Sequence, residues 1–260
     1  MDPIAELVER LNRDKKLRVW SVIITFFGDA IVPRGGSVSA RTVQALLARM
    51  GIEAGAVRTA FSRLSNDGWV VREKRGRSSF YRLSRTGLQP FAEATDRIYA
   101  PLQQQQEDGL WTIRLSKDTY PEPQIIKGRQ TTPDDDFELV GTVDNIPDWM
   151  KRMHCSDAHR DGYTKLMAAF SAIDPAQLSQ LEAMAVRCLL IHEWRRILFQ
   201  FDSVPPEFWT DDWPQAQCHQ FVSSLYHQLL PASEQWMNEE ATGLSDKLPA
   251  PKTDLVARFR

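Results

Sequence analysis

The stretch Ser37 to Gly87, SVSARTVQALLARMGIEAGAVRTAFSRLSNDGWVVREKRGRSSFYRLSRTG, decides how this 260-residue chain is read. Val43, Leu46, Leu47 and Met50 recur at the spacing of one helical face, and Val57, Ala60, Phe61 and Leu64 do so again after Gly51. Ser39 is a good N-cap for the first helix, and Asn66-Asp67-Gly68 closes the second. The period then changes. Trp69 to Arg72 and Phe80 to Leu83 alternate as strands do, and they flank a loop containing Gly76. Helix, tight turn, helix and basic ribbon, in that order, are the parts of a winged helix-turn-helix.

If Val57, Phe61 and Leu64 point inward, then Arg58, Thr59, Ser62 and Arg63 point outward, where a recognition helix would carry them into a major groove. Arg72, Lys74, Arg75, Arg77 and Ser78 sit on the ribbon, and Arg41 lies at the start of the first helix. From Arg58 to Arg85 there are eight Arg or Lys against two acids, in a chain whose formal charge is -2 overall. Basic charge concentrated in this way is the footprint of a face that binds double-stranded DNA.

Around this stretch, Thr25-Phe26-Phe27-Gly28-Asp29-Ala30, Pro33-Arg34-Gly35-Gly36, Val57 to Leu64 and Asp67-Gly68-Trp69 resemble the PaaX family of bacterial repressors of phenylacetic acid catabolism. A downstream block, Trp194 to Phe199 with Val204-Pro205-Pro206-Glu207 and Asp212-Trp213-Pro214, is similar to that family's C-terminal signature. The resemblance implies a homodimer on a palindromic operator, released by an aryl-CoA thioester such as phenylacetyl-CoA. It also implies a middle domain of ferredoxin-like α+β type, related to CRISPR adaptation nucleases, although the segment here looks abbreviated.

The remaining chain fits three units of mainly α structure with α+β elements: residues 1–100 for DNA binding, 107–150 as a small middle domain and 151–260 as a helical effector and dimerisation domain. Asp2 to Arg13 reads as an amphipathic helix, packed on its own domain or on a second copy. Leu17 to Ile31 is apolar almost all round, which predicts a buried helix. Gly87 to Leu102 reads as a linking helix, closed by the polar run Gln103 to Gln106. Leu110 to Leu115 and Phe137 to Val143 alternate as strands, with room for a short one at Gln124 to Lys127. From Tyr163 the pattern is helical: Asp174-Pro175 opens a long apolar helix ending in the charged block His192 to Arg196. A last helix spans Gln215 to Leu230, and the tail from Pro231 is expected to be partly loose.

Composition fits a soluble globular protein, with 42% hydrophobic and 25% charged residues. No signal peptide or membrane-spanning run is seen, and Cys155, Cys188 and Cys218 are odd in number and widely spaced, so a cytoplasmic protein without a disulfide framework is expected. Arg187, His192, Trp194, Arg195, Arg196 and Trp209 combine cations with aromatic surface and could hold an acyl-CoA. Alternatively these arginines pair with Glu193, Asp202, Asp211 or Asp212 and lock the domain. Asp134-Asp135-Asp136 with His154 or His159 offers ligands for the ion of a metal-dependent nuclease fed by the winged module, and His154-Cys155 with His159 separately offers three zinc ligands within six residues. With no fourth zinc ligand, nucleophile elbow or dinucleotide fingerprint, the sequence favours no cofactor, no metal and no catalysis.

Overall fold

The computed structural model describes residues 2–13, 16–102, 109–118, 120–128, 135–201, 204–244 and 246–260, without the side chains of residues 89–92 and 246. The expected boundary run Gln103 to Gln106 lies outside these residues, as do Asp134 and Asp202. Helix α1 (Pro3–Asn12) starts on Asp2, whose Oδ1 accepts from the Ile4 amide at 2.9 Å. Its apolar side, Ile4, Leu7 and Leu11, is buried within the same chain against the helices of the C-terminal half. Helix α2 (Val19–Phe26) is the expected core helix, but it runs on as a π-helical turn over Phe27–Ile31 and a 3₁₀ turn over Val32–Arg34. The wider π turn places Asp29 inside the protein, with 1% of its surface exposed.

Strand β1 (Ser37–Ser39) is three residues long, too short to leave a periodic signal, and was not expected. Helices α3 (Ala40–Arg49) and α4 (Ala54–Asn66) follow. Each ends on a glycine in the left-handed region, Gly51 at φ 74° and Gly68 at φ 74°, where other residues pay a steric penalty. The amides that follow, Ile52 and Trp69, reach back to the carbonyls of Leu47 and Leu64. Strands β2 (Val70–Arg75) and β3 (Ser78–Leu83) then pair antiparallel, and the sheet order is β1-β3-β2. Gly76, at φ 58°, is the first of the two loop residues, as a II′-type hairpin turn requires.

Helix α5 (Arg85–Ile98) packs its start so closely on the preceding turn that a Cβ at Gly87 would lie 2.6 Å from the Trp69 carbonyl oxygen. Gly87→Ala should therefore destabilise the protein by about 1–3 kcal/mol, as overpacking against backbone does. A thermal melt checks this, and an unchanged midpoint would contradict it.

The middle segment is a three-stranded antiparallel sheet of β4 (Leu110–Leu115), β5 (Gln124–Lys127) and β6 (Phe137–Thr142), in the order β5-β4-β6. Among the described residues no helix lies between these strands. Helix formation begins before Tyr163, with α6 (Asp148–His154) and α7 (Asp157–Phe170).

Helix α8 (Gln180–Gln200) starts later than Asp174-Pro175, which form a separate 3₁₀ turn, because Ser179 and Glu182 make a capping box. It also runs four residues past the charged block His192 to Arg196. Arg49 clips three helix ends together, reaching Asp2 at 2.7 Å and Glu182 at 2.5 Å.

Helix α9 (Gln215–Glu239) continues through Pro231, and the tail is not loose. Leu229, Leu230, Ser233, Trp236 and Met237 keep one buried face across the proline, so packing outweighs the missing amide hydrogen bond. A hairpin of β7 (Thr242–Gly243) and β8 (Asp246–Lys247) then docks on the start of α3, where Thr242 Oγ1 donates to Ser39 Oγ at 2.7 Å. The chain finally returns to the centre: the Lys252 amide bonds the Pro33 carbonyl and the Phe259 amide bonds that of Tyr99. One buried core runs from Ile4 to Phe259. Among the described residues no helix is long and apolar enough to cross a membrane.

Candidate nucleic-acid interface and the cavities behind it

Helix α4 buries Val57, Ala60, Phe61 and Leu64, and Phe61 stacks on Tyr81 of β3 with ring centroids 3.8 Å apart. That packing fixes the helix on the sheet and leaves Arg58, Thr59, Ser62 and Arg63 exposed along the opposite side. Thr59 donates to the Gly55 carbonyl. Arg63 lies 3.6 Å from Asp67 and 5.9 Å from the ring centroid of Trp20. Both charged partners are more than half exposed, so the pair holds Arg63 weakly.

On the ribbon, Arg72, Lys74, Arg77 and Ser78 are exposed. Arg72 donates to Ser79 Oγ across the strands at 2.7 Å, while Arg75 is engaged within the chain, by Glu73 at 3.0 Å and the Leu244 carbonyl at 3.2 Å. Arg41 sits at the mouth of α3 and lines one open groove with Arg77 and Ser78, next to Thr242 and Gly243. The structure thus brings Arg41, Arg77 and Ser78 together in one groove, which no residue of the α4 row lines.

The six residues read as an acyl-CoA site separate. Arg187 is fully buried and committed. Its Nε lies 2.8 Å from Asp29 Oδ2, its Nη1 2.7 Å from Glu234 Oε1, and it also donates to Ser233 and Tyr226. Arg258 reaches Asp29 Oδ1 at 2.7 Å, the Tyr99 hydroxyl donates to the same oxygen at 2.6 Å, and Arg34 pairs with Glu234 at 2.5 Å. Burial would raise the Asp29 carboxyl, but the charges of Arg187 and Arg258 overcome this and hold it below its ordinary value. Trp194 is buried and donates to the Ile98 carbonyl, and Trp209 donates to that of Val204. The partners of Arg187 are therefore not those weighed from sequence, whereas Arg196 does pair with Glu193, at 2.6 Å. The acid missed, Asp29, had a legible signal: it is a lone carboxylate at the end of an apolar helix, and such a group needs a buried cation.

His192, Arg195 and Arg196 do come together, along one side of α8 facing the chain around Lys16 to Ser21. His192 Nδ1 is 3.2 Å from Thr25 Oγ1, and burial, aided by Arg195 and Arg196, pushes its pKa down to about 3. The folded state keeps this imidazole neutral while the unfolded chain protonates it below its ordinary 6.5. Stability should therefore fall as pH drops from about 6.5 toward 3, and His192→Gln should flatten that slope in pH-dependent melts. An unaltered slope would contradict the assignment.

Among the described residues, the expected nuclease and zinc ligands do not gather. Asp136 is tied to Arg114, His159 is buried with its Nε2 2.9 Å from the Tyr163 hydroxyl, and Cys155 donates to the Phe208 carbonyl. Among the described residues no group of three His, Cys, Asp or Glu could hold a metal ion.

Residues 18–87 match the family model described as "PaaX-like protein", and residues 155–239 match "PaaX-like protein C-terminal domain". The chain belongs to the PaaX-like family. It is 26% identical to the protein named "Transcriptional repressor PaaX" from Escherichia coli (strain K12), in an alignment covering 92% of this chain and 89% of that one. Among solved structures it is similar to "Uncharacterized protein Rv0674 from Mycobacterium tuberculosis", with a TM-score of 0.44 and 15% identity over 75% of this chain and 91% of that one.

Proposed function

We propose that the chain is a transcriptional repressor that binds operator DNA through a winged helix-turn-helix. The observation that carries this reading is the exposed row Arg58, Thr59, Ser62 and Arg63 on α4, flanked by the exposed cations of the β2–β3 ribbon. Placed in a major groove, α4 would present guanidinium and hydroxyl groups to base edges, while Arg41, Lys74 and Arg77 would meet phosphates. Arg75, already bonded to Glu73 and Leu244, would serve more to place the ribbon than to contact DNA. Membership of a family whose E. coli relative is named a repressor supports the same reading. A homodimer would place two α4 helices on a two-fold symmetric site. Residues 1–100 would form the DNA-binding unit and the segment from 151 the effector and dimerisation unit.

Regulation in this reading is by an acyl-CoA thioester of the phenylacetyl type. The ligand would bind the form that fits DNA poorly and so draw the population away from the operator. The test is a mobility shift of the protein's own promoter DNA titrated with phenylacetyl-CoA, with free CoA as control. Release by the thioester alone is expected. A complex that ignores both would remove the effector from the proposal and leave the repressor.

A further inference from the structure

Two cavities meet at Trp20, Arg195 and Phe199. The inner one, about 320 Å³, lies between α2, the turn after α4, α5 and α8, with Trp69 and Ile98 among its apolar walls. Apolar cavities of about 150 Å³ already hold a benzene ring, so this one has room for a ring and its linker. Asp29 reaches its wall but is neutralised by Arg187 and Arg258. The outer cavity, about 490 Å³, carries Lys16, Arg18, Arg195 and Arg196 against the carboxylate of Glu193, which is bound to Arg196. Arg195 belongs to both cavities. Its Nη2 donates to Ser21 Oγ at 2.7 Å, while its buried Nε finds no acceptor among the described residues. An orphaned charged donor of this kind is costly unless a ligand oxygen satisfies it.

Resting on the effector reading above, we propose that these joined cavities are the effector site. An apolar acyl group lies in the inner chamber between Trp20 and Trp69, its carbonyl or first phosphate oxygen meets Arg195, and the polyanionic part lies along Lys16, Arg18 and Arg196. The site moves away from Arg187 and Trp209, which the chain uses for itself. The apolar chamber is also walled by two tryptophans that adjoin α4. Trp69 lies three residues past the end of α4, with its amide bonded to the Leu64 carbonyl of that helix, and the Trp20 ring centroid is 5.9 Å from the Arg63 guanidinium. A ring inserted between them changes how α4 sits on α2, and a ligand bound there therefore distinguishes two placements of that helix.

The test is calorimetric titration of the full chain, without DNA, with phenylacetyl-CoA, CoA and phenylacetate, on the parent protein and on Arg195→Gln and Ala94→Trp. Ala94 lines the inner chamber, and a tryptophan there fills it. The parent is expected to bind the thioester more tightly than either fragment. Each variant should lose about tenfold or more, the worth of one charge-assisted contact or of the chamber itself. Thioester binding by both folded variants as tight as the parent's would overturn the site while leaving the effector reading intact. No binding by the parent would overturn both, and equal affinity for CoA and the thioester would overturn the apolar chamber. Should Ala94→Trp fail to fold, Arg195→Gln decides.

Discussion

Asp29→Ala should lower the melting temperature by roughly 10 °C, the equivalent of about 3–5 kcal/mol in a chain of this size. The reason is the company Asp29 keeps. Its carboxylate, with no exposed side-chain surface, receives Arg187, Arg258 and Tyr99, and the cluster extends through Glu234 to Arg34. Three arginines share two carboxylates, so deletion of Asp29 leaves the buried Arg258 without its carboxylate and leaves Arg187 and Arg34 to share Glu234 alone. The cluster joins the end of α2, the end of α5, α8, α9 and the returning tail. Its loss therefore loosens the seam between the N-terminal helices and the C-terminal half. The pH dependence has a defined sign. Because the folded carboxyl titrates below its ordinary value, its stabilisation is complete above the usual carboxylate range and is lost as the pH falls through the folded value. Asp29→Asn should accordingly flatten the acid limb of stability. A thermal melt of Asp29→Ala within about 2 °C of the parent would show that the cluster is not structural.

The second large effect is on DNA. Arg58→Ala and Arg63→Ala should each cost about 1–3 kcal/mol of operator binding, so the double variant should bind roughly a hundredfold or more weakly. Neither side chain packs in the core, and Arg63 holds a largely exposed ion pair with Asp67 and a 5.9 Å approach to the Trp20 ring, so the melting temperature should stay near the parent's. Lys74→Ala and Arg77→Ala should behave differently. They should weaken all sequences about equally and each reduce the salt slope by about one, as lost phosphate contacts do. Filter-binding titrations at several salt concentrations separate the two kinds of contact. Parent-like affinity in the double variant would displace the reading surface from α4.

Much of this was legible in the sequence, and the reasons are local. The two helical faces, the glycine stops at Gly51 and Gly68 and the change of period at Trp69 all act within about ten residues, so a linear reading finds them. The exposed row on α4 followed by elimination from its buried face. What escaped the sequence was long-range. Arg187 lies in an apolar helix, and no local pattern announces that its partners are Asp29, more than 150 residues away, and Glu234. The tail shows the same limit: Pro231 and the surrounding charges read as loose chain, yet Trp236, Met237 and Phe259 are buried against distant elements. The cavity walls come from α2, the α4 turn, α5 and α8, so Trp20 and Trp69 could be named as core or as strand but not as neighbours.

The most direct measurement is a footprint of the protein on its own promoter DNA. Two protected half-sites related by two-fold symmetry are expected, with centres about 10 base pairs or a multiple of that apart, and both should be lost with Arg58→Ala/Arg63→Ala. Protection absent at micromolar protein, or unchanged in that variant, would contradict a repressor that reads DNA through α4.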